Sequence, residues 1–132
     1  MRQANIPAPQ TLDPQRGEIW RVNLEPVEGS EQGKARPVVV MSEPATGRAS
    51  TSLCAPIIHR KPLHARLFWC VELAPDVANG LTKNCSADTA QTRVLDAVRF
   101  EAKLGEVTPD ELEAITTALC LCVGRVPMPP TP

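Results

Sequence analysis

Arg36 sits at a junction suited to handling phosphate. It follows a polar stretch with two glycines, residues 25–35 (EPVEGSEQGKA), and opens a β-branched run, residues 36–42 (RPVVVMS). A side chain there is anchored by a strand and reachable from a loop. Guanidinium is planar, forked and permanently charged, which suits a phosphate and the added charge of a pentacoordinate phosphorus. The same arginine could instead form a surface ion pair at a strand edge. A second cationic set follows: between Pro44 and Val71 there is no Asp or Glu, while Arg48, Arg60, Lys61 and Arg66 occur with His59 and His64. Such a run can line a phosphate path, or it can be a solvated basic loop. His59 brings an imidazole, which exchanges protons near neutral pH and can serve as general acid or base; it can equally be a loop residue after a strand.

The stretch around Arg36 does not fit a nucleotide-binding P-loop. That motif needs four residues between its glycines, then Lys and Ser or Thr at the start of a helix. Here three residues separate Gly29 from Gly33, Lys34 is followed by Ala35, and a strand pattern follows. An ATP site is therefore not expected. If the nucleophile is the 2′-hydroxyl of an RNA substrate, no metal and no cofactor are required.

These groups need a β scaffold. Residues 17–24 (GEIWRVNL) alternate, with Trp20, Val22 and Leu24 on one side and Arg21 and Asn23 on the other, the period of a half-buried strand. Residues 36–42 read as a buried strand, with Pro37 near its start where a missing N–H is tolerated. Residues 52–58 (SLCAPII) and 67–73 (LFWCVEL) are the next strands, on either side of the basic stretch. Asn79-Gly80 marks a tight turn. Residues 88–100 form one bent strand or two short ones. Thr108-Pro109-Asp110-Glu111 fits a helix start: Thr108 caps, Pro109 loses no needed N–H, and Glu111 completes a capping box. Leu112, Ile115, Leu119 and Cys122 then fall on one helical face, and Gly124 supplies the stop. Five or six short strands followed by a helix indicate a small β-barrel or sandwich closed by that helix.

The chain has 132 residues, enough for one domain. Only four residues are aromatic (Trp20, Phe68, Trp69 and Phe100), so the core must be aliphatic. Residues 1–15 read as a flexible arm and 125–132 as a Pro-rich tail. A net charge of −1 argues against a general polyanion-binding protein. Yet residues 1–66 carry nine Lys/Arg against six Asp/Glu, so positive charge gathers on the half that holds Arg36 and His59. The five cysteines (Cys54, Cys70, Cys85, Cys120 and Cys122) are odd in number and lack zinc-site spacing, so reduced thiols are expected. No apolar signal core opens the chain and no run approaches membrane-spanning length, which predicts a cytoplasmic protein with no membrane partner.

Four consecutive stretches keep a distinctive order and spacing: Gly17-Glu18-Ile19-Trp20, Val22-Asn23-Leu24-Glu25-Pro26, Gly29-Ser30-Glu31-Gln32-Gly33 and Arg36-Pro37-Val38-Val39-Val40. Together they resemble the opening of the MazF/PemK/Kid toxin family. Weaker similarity continues through Cys54-Ala55-Pro56-Ile57, Asn79-Gly80-Leu81, Gln91, Asp96 and the helix at 109–123. The resemblance implies a mainly β (α+β) domain over residues 16–124, an SH3-like β-barrel of five to seven strands with a C-terminal helix, usually homodimeric. It also implies a toxin of a type II toxin–antitoxin system, an endoribonuclease that cuts single-stranded RNA and leaves a 2′,3′-cyclic phosphate and a 5′-hydroxyl. The family's catalytic arginine falls on Arg36, and the preceding loop, with Glu31, Gln32 and Lys34, borders the RNA groove. Arg60 and Lys61 would contact neighbouring phosphates. Gln91 would hydrogen-bond a base, hold the loop or serve structure alone. A cognate antitoxin with an acidic segment would suit the basic stretch. His64, Arg66 and Lys83 are expected to be solvent-exposed, and Trp20 to pack in the core or at a dimer contact.

One position departs from the family. After Cys54-Ala55-Pro56-Ile57 the family has a threonine that supports the phosphate; here Ile58 and His59 follow. Ile58 offers no hydrogen bond, and losing such a donor costs about 3 kcal/mol, roughly a hundredfold in rate. Either His59 substitutes in catalysis, or the protein is a weakened relative that binds RNA or antitoxin.

Overall fold

The three valines Val38-Val39-Val40 are all buried, which requires a sheet covered on both faces. A computed structural model shows that sheet; it describes residues 12–24, 35–44 and 50–127. Glu31, Gln32, Lys34 and Arg48 lie outside the described residues, as do most of the expected arm and the end of the tail. The elements are β1 (Glu18–Asn23), β2 (Ala35–Val40), β3 (Thr51–His59), β4 (Cys70–Leu73), β5 (Cys85–Asp88), β6 (Arg93–Asp96), β7 (Phe100–Glu106) and the helix α1 (Pro109–Cys122). The sheet runs β4-β5-β3-β2-β1-β7, all neighbours antiparallel, and β6 also pairs with β3. The nine-residue β3 is shared: its first half, Thr51 to Cys54, pairs with β6, and its end, Ile57 to His59, pairs with β5. The result is a mainly β, SH3-like barrel with a C-terminal helix, as expected, although the hydrogen-bonded path does not close between β4 and β7.

Strand alternation divides the interior into two clusters. Val39 and Met41 join Ile19, Ala55, Ile57, Leu73 and Ile115 beneath α1. Val38 and Val40 join Trp20, Val22, Cys54, Leu95 and Phe100 on the opposite face. Trp20 meets Phe100 edge to face, ring centroids 5.7 Å apart at 77°. Trp20 is thus a core residue, and its indole N–H donates to Glu18 Oε1 at 2.9 Å. Leu12, within the expected arm, packs against this second cluster. Burial pushes the Cys54 thiol up to about 12.

The helix begins as its sequence predicts. Thr108 Oγ1 accepts from the Glu111 N–H at 3.0 Å, and Glu111 Oε1 accepts from the Thr108 N–H at 2.9 Å. Gly124, with φ of 80°, follows its end. Arg16 fastens this helix to the residue that follows β2: it donates to the Met41 carbonyl at 2.6 Å and to Thr116 Oγ1 at 2.9 Å.

The strands differ from expectation between residues 67 and 106. Asp88 Oδ1 accepts from the Ala90 N–H and Asp96 Oδ1 from the Val98 N–H, so each aspartate caps a short 3-10 turn (Thr89–Gln91 and Ala97–Arg99). Those turns split the expected 88–100 strand into the end of β5, β6 and the start of β7. The basic stretch also turns, at Pro62–Arg66. The Leu67 N–H then bonds to the His64 carbonyl and the Cys70 N–H to that of Leu67, which delays β4 to Cys70. His64 is a correction: expected in solvent, it is buried at 8% exposure, because its Nδ1 lies 3.1 Å from Ser86 Oγ and accepts from the Lys61 N–H at 3.2 Å.

Candidate active site

The β2–β3 ladder ends at the pair Val38 and Pro56. Beyond it a cleft of about 600 Å³ opens, within the ordinary range for ligand sites. β2 supplies Arg36 and Pro37, and β3 supplies Pro56, Ile57, Ile58 and His59. Gly80, Leu81, Thr82 and Lys83 form a wall, with Cys85 of β5, Leu24 after β1, and Leu104 of β7. The strand pattern explains the exposure of Arg36. β2 is buried from Val38 onward and exposed at Ala35 and Arg36, so the guanidinium stays accessible while its strand is fixed.

Most of the lining is apolar (Leu24, Pro37, Pro56, Ile57, Ile58, Leu81 and Leu104), while Arg36 and Lys83 are the cations and His59 the imidazole. No carboxylate is on the cleft wall among the described residues. The cleft is therefore suited to an anion attached to an apolar or aromatic group, as in a nucleotide. Burial raises the Cys85 thiol above its ordinary range, with the Lys83 ammonium opposing, so Cys85 is held as a neutral thiol.

The wall is tightly secured. Asn79, 1% exposed, uses its side-chain oxygen for the N–H groups of Asp76 (3.0 Å) and Leu81 (2.9 Å), and its amide nitrogen for the Ala74 carbonyl (2.8 Å). Asp76 Oδ1 in turn accepts from the Asn79 N–H at 2.9 Å. Gly80 has φ of 72°, and a Cβ on it would strike the Leu104 carbonyl oxygen. The expected Asn79-Gly80 turn is present, and it sets the path of Leu81, Thr82 and Lys83.

The sequence-derived site residues separate into groups. Arg36, Ile58 and His59 all line the cleft. Arg60 turns away: it donates to Ser86 Oγ at 3.0 Å and lies 4.0 Å from Glu72 Oε2, its side chain 16% exposed. Lys61 is exposed at the head of the 3-10 turn Pro62–Arg66, and Gln91 is exposed at the end of another; neither lines the cleft. Glu31, Gln32 and Lys34 lie outside the described residues. Thr82 and Lys83 were not singled out for the site from sequence. The signal for them is long-range: the end of β3 pairs with β5, which brings the residues just before β5 beside His59.

Residues 15–123 match the family described as the PemK-like, MazF-like toxin of type II toxin–antitoxin systems. The chain is 33% identical over 109 residues to Endoribonuclease MazF9 of Mycobacterium tuberculosis (strain ATCC 25618 / H37Rv), covering 80% of this chain and 92% of that one. It also superposes on a mycobacterial endoribonuclease solved with its cognate antitoxin, at TM-score 0.66 and 25% identity, covering 88% and 99% of the two chains. A MazE–MazF structure (Form-II) from Deinococcus radiodurans gives TM-score 0.70 at 25% identity over 86% and 97%.

Proposed function

The chain belongs to the PemK-like, MazF-like toxin family of type II toxin–antitoxin systems, and on that premise we propose that it is an endoribonuclease cutting single-stranded RNA in the cleft between β2, β3 and β5. The observation that carries this reading is the convergence of Arg36 and His59, from two strands, on one cleft with no carboxylate on its described wall. The 2′-oxygen attacks the adjacent phosphorus, the bond from phosphorus to the 5′-oxygen breaks, and a 2′,3′-cyclic phosphate forms. His59 takes the 2′-hydroxyl proton, and the departing 5′-oxygen takes a proton from solvent water to become a hydroxyl. Arg36 holds the non-bridging oxygens as their charge grows, so its effect is largest in the transition state. No step requires a cofactor.

In sequence just before β2, Glu31, Gln32 and Lys34 contact the RNA, while outside the cleft the exposed Lys61 meets a flanking phosphate and Gln91 a base; Arg60, held by Ser86 and Glu72, is not one of the contacts. The protein acts as a homodimer in the cytoplasm, where an antitoxin with an acidic segment neutralises it. Antitoxin-bound relatives of the same fold support that pairing. The domain boundaries proposed are 16–124.

Purified protein is expected to cut single-stranded RNA in EDTA and leave 5′-hydroxyl ends. Arg36→Ala should lower kcat by about 10²–10³; an Arg36→Ala variant as fast as wild type removes the mechanism. Ile58 favours a second reading, a catalytically weakened protein acting as an RNA- or antitoxin-binding module. Tight RNA binding without cleavage over hours would establish that one.

A further inference from the structure

Lys83 belongs with Arg36 although the two are remote in sequence. In the sheet β3 lies between β2 and β5. Arg36 is on β2, and Lys83 stands two residues before the first residue of β5, so the cations flank the end of β3 that carries Ile58 and His59. That arrangement is held from both directions. The Arg60 N–H donates to the Asn84 carbonyl at 3.1 Å, tying the chain just after Lys83 to the chain just after His59. From the other side, the buried Asn79 and the close approach of Gly80 to Leu104 fix the turn that leads into Leu81 and Lys83. Among the described residues, no carboxylate lies within ion-pair distance of the Lys83 ammonium, which is exposed on the cleft wall.

We propose that Lys83 is a second phosphate-binding group of the cleft: it holds the phosphodiester next to the one at Arg36, so that the RNA backbone crosses β3 over Ile58. The inference rests on the ribonuclease reading and deepens it. Phosphates repeat along the strand with no reacting atom at the neighbouring position. A lysine there binds substrate and transition state alike, as a point charge. It therefore sets KM and the salt dependence of binding and leaves kcat nearly unchanged. It also accounts for a cleft in which Ile58 gives no hydrogen bond: the backbone is held by cations on either side of that strand.

The test uses the full-length protein, a single-stranded RNA substrate for kinetics, and an uncleavable mixed-sequence 2′-O-methyl RNA for binding across a range of salt. Lys83→Ala should raise KM about tenfold with kcat within about twofold, and lower the slope of log affinity against log salt by about 0.7. Lys83→Arg should keep the wild-type slope. Lys83 is exposed, and equal Tm values for the variants would tie these differences to binding. A Lys83→Ala protein with unchanged slope and KM overturns the proposal, as does a loss confined to kcat. If the wild type binds RNA without cutting it, the ribonuclease reading fails while the salt slope still decides Lys83. A wild type that binds no single-stranded RNA overturns both.

Discussion

Arg36 and Ile58 each stand two residues beyond Val38 and Pro56, the last pair of the β2–β3 ladder, and both line the cleft that opens there. A hydrogen-bond donor at position 58 would therefore project into the same space as the guanidinium. Isoleucine fills that space without offering a contact to a phosphate oxygen. Ile58→Thr keeps a β-branched side chain that suits a strand and adds a hydroxyl. The expected outcome is a rise in kcat of about ten- to a hundredfold with little change in KM. Single-turnover cleavage of RNA measures it, and equal rates would show that the site does not depend on a donor at this position.

His59 is the residue after Ile58, exposed at the end of β3 and paired in register with Cys85. Its place on the wall of the cleft that Arg36 also lines suits proton transfer to and from the reacting oxygens. Replacing it with alanine should lower kcat by about 10²–10⁴ and flatten the pH–rate profile. A variant that keeps the wild-type profile would take His59 out of the chemistry and leave it as the cap of its strand.

The strands and helix, and two of the residues that line the cleft, could be read before the structure, for identifiable reasons. The alternation around Trp20, the run from Val38 to Val40 and the capping box at Thr108 are local signals, and each produced the expected element. Arg36 and Ile58 came from the spacing of a family motif. Lys83 did not, because its place depends on β5 pairing with the end of β3 while β6 pairs with the beginning. The burial of His64 escaped notice for the same reason: its partner Ser86 is 22 residues away. Asp88 and Asp96 looked like polar positions in a strand, whereas their short side chains bond the backbone two residues on and end it.

The cleft wall depends on a contact between backbones. The Glu106 N–H donates to the Ala78 carbonyl at 3.0 Å, and a Cβ on Gly105 would strike that same carbonyl oxygen. β7 can approach the 76–80 turn this closely only with glycine at 105. Gly105→Ala should destabilise the fold by about 1–3 kcal/mol, seen as a lower urea midpoint. If the surviving folded protein still binds RNA with wild-type affinity, the turn does not position the binding groups, and Lys83 needs no rigid support.

Glu18 should govern acid stability. Its Oε1 accepts from the Gln15 N–H and the Trp20 indole, each at 2.9 Å, and its Oε2 lies 3.0 Å from Lys103 Nζ. Burial alone would raise this carboxyl, but the Gln15 and Trp20 hydrogen bonds and the Lys103 charge outweigh it and hold it below the usual carboxylate range. The folded state thus binds the proton less readily than the unfolded chain does. Stability from Glu18 is present above the unfolded carboxylate value, about 4.3, and is lost as pH falls through the lower folded one. Lys103 is raised in return, chiefly by its hydrogen bond to Glu18, so its share persists until pH climbs past the lysine range. Glu18→Gln should cost about 1.5–3 kcal/mol at pH 7, with the gap from wild type narrowing in urea unfolding near pH 3. A gap of constant size at both pH values would mean that packing around Trp20, and not the charge on Glu18, holds β1 against β7.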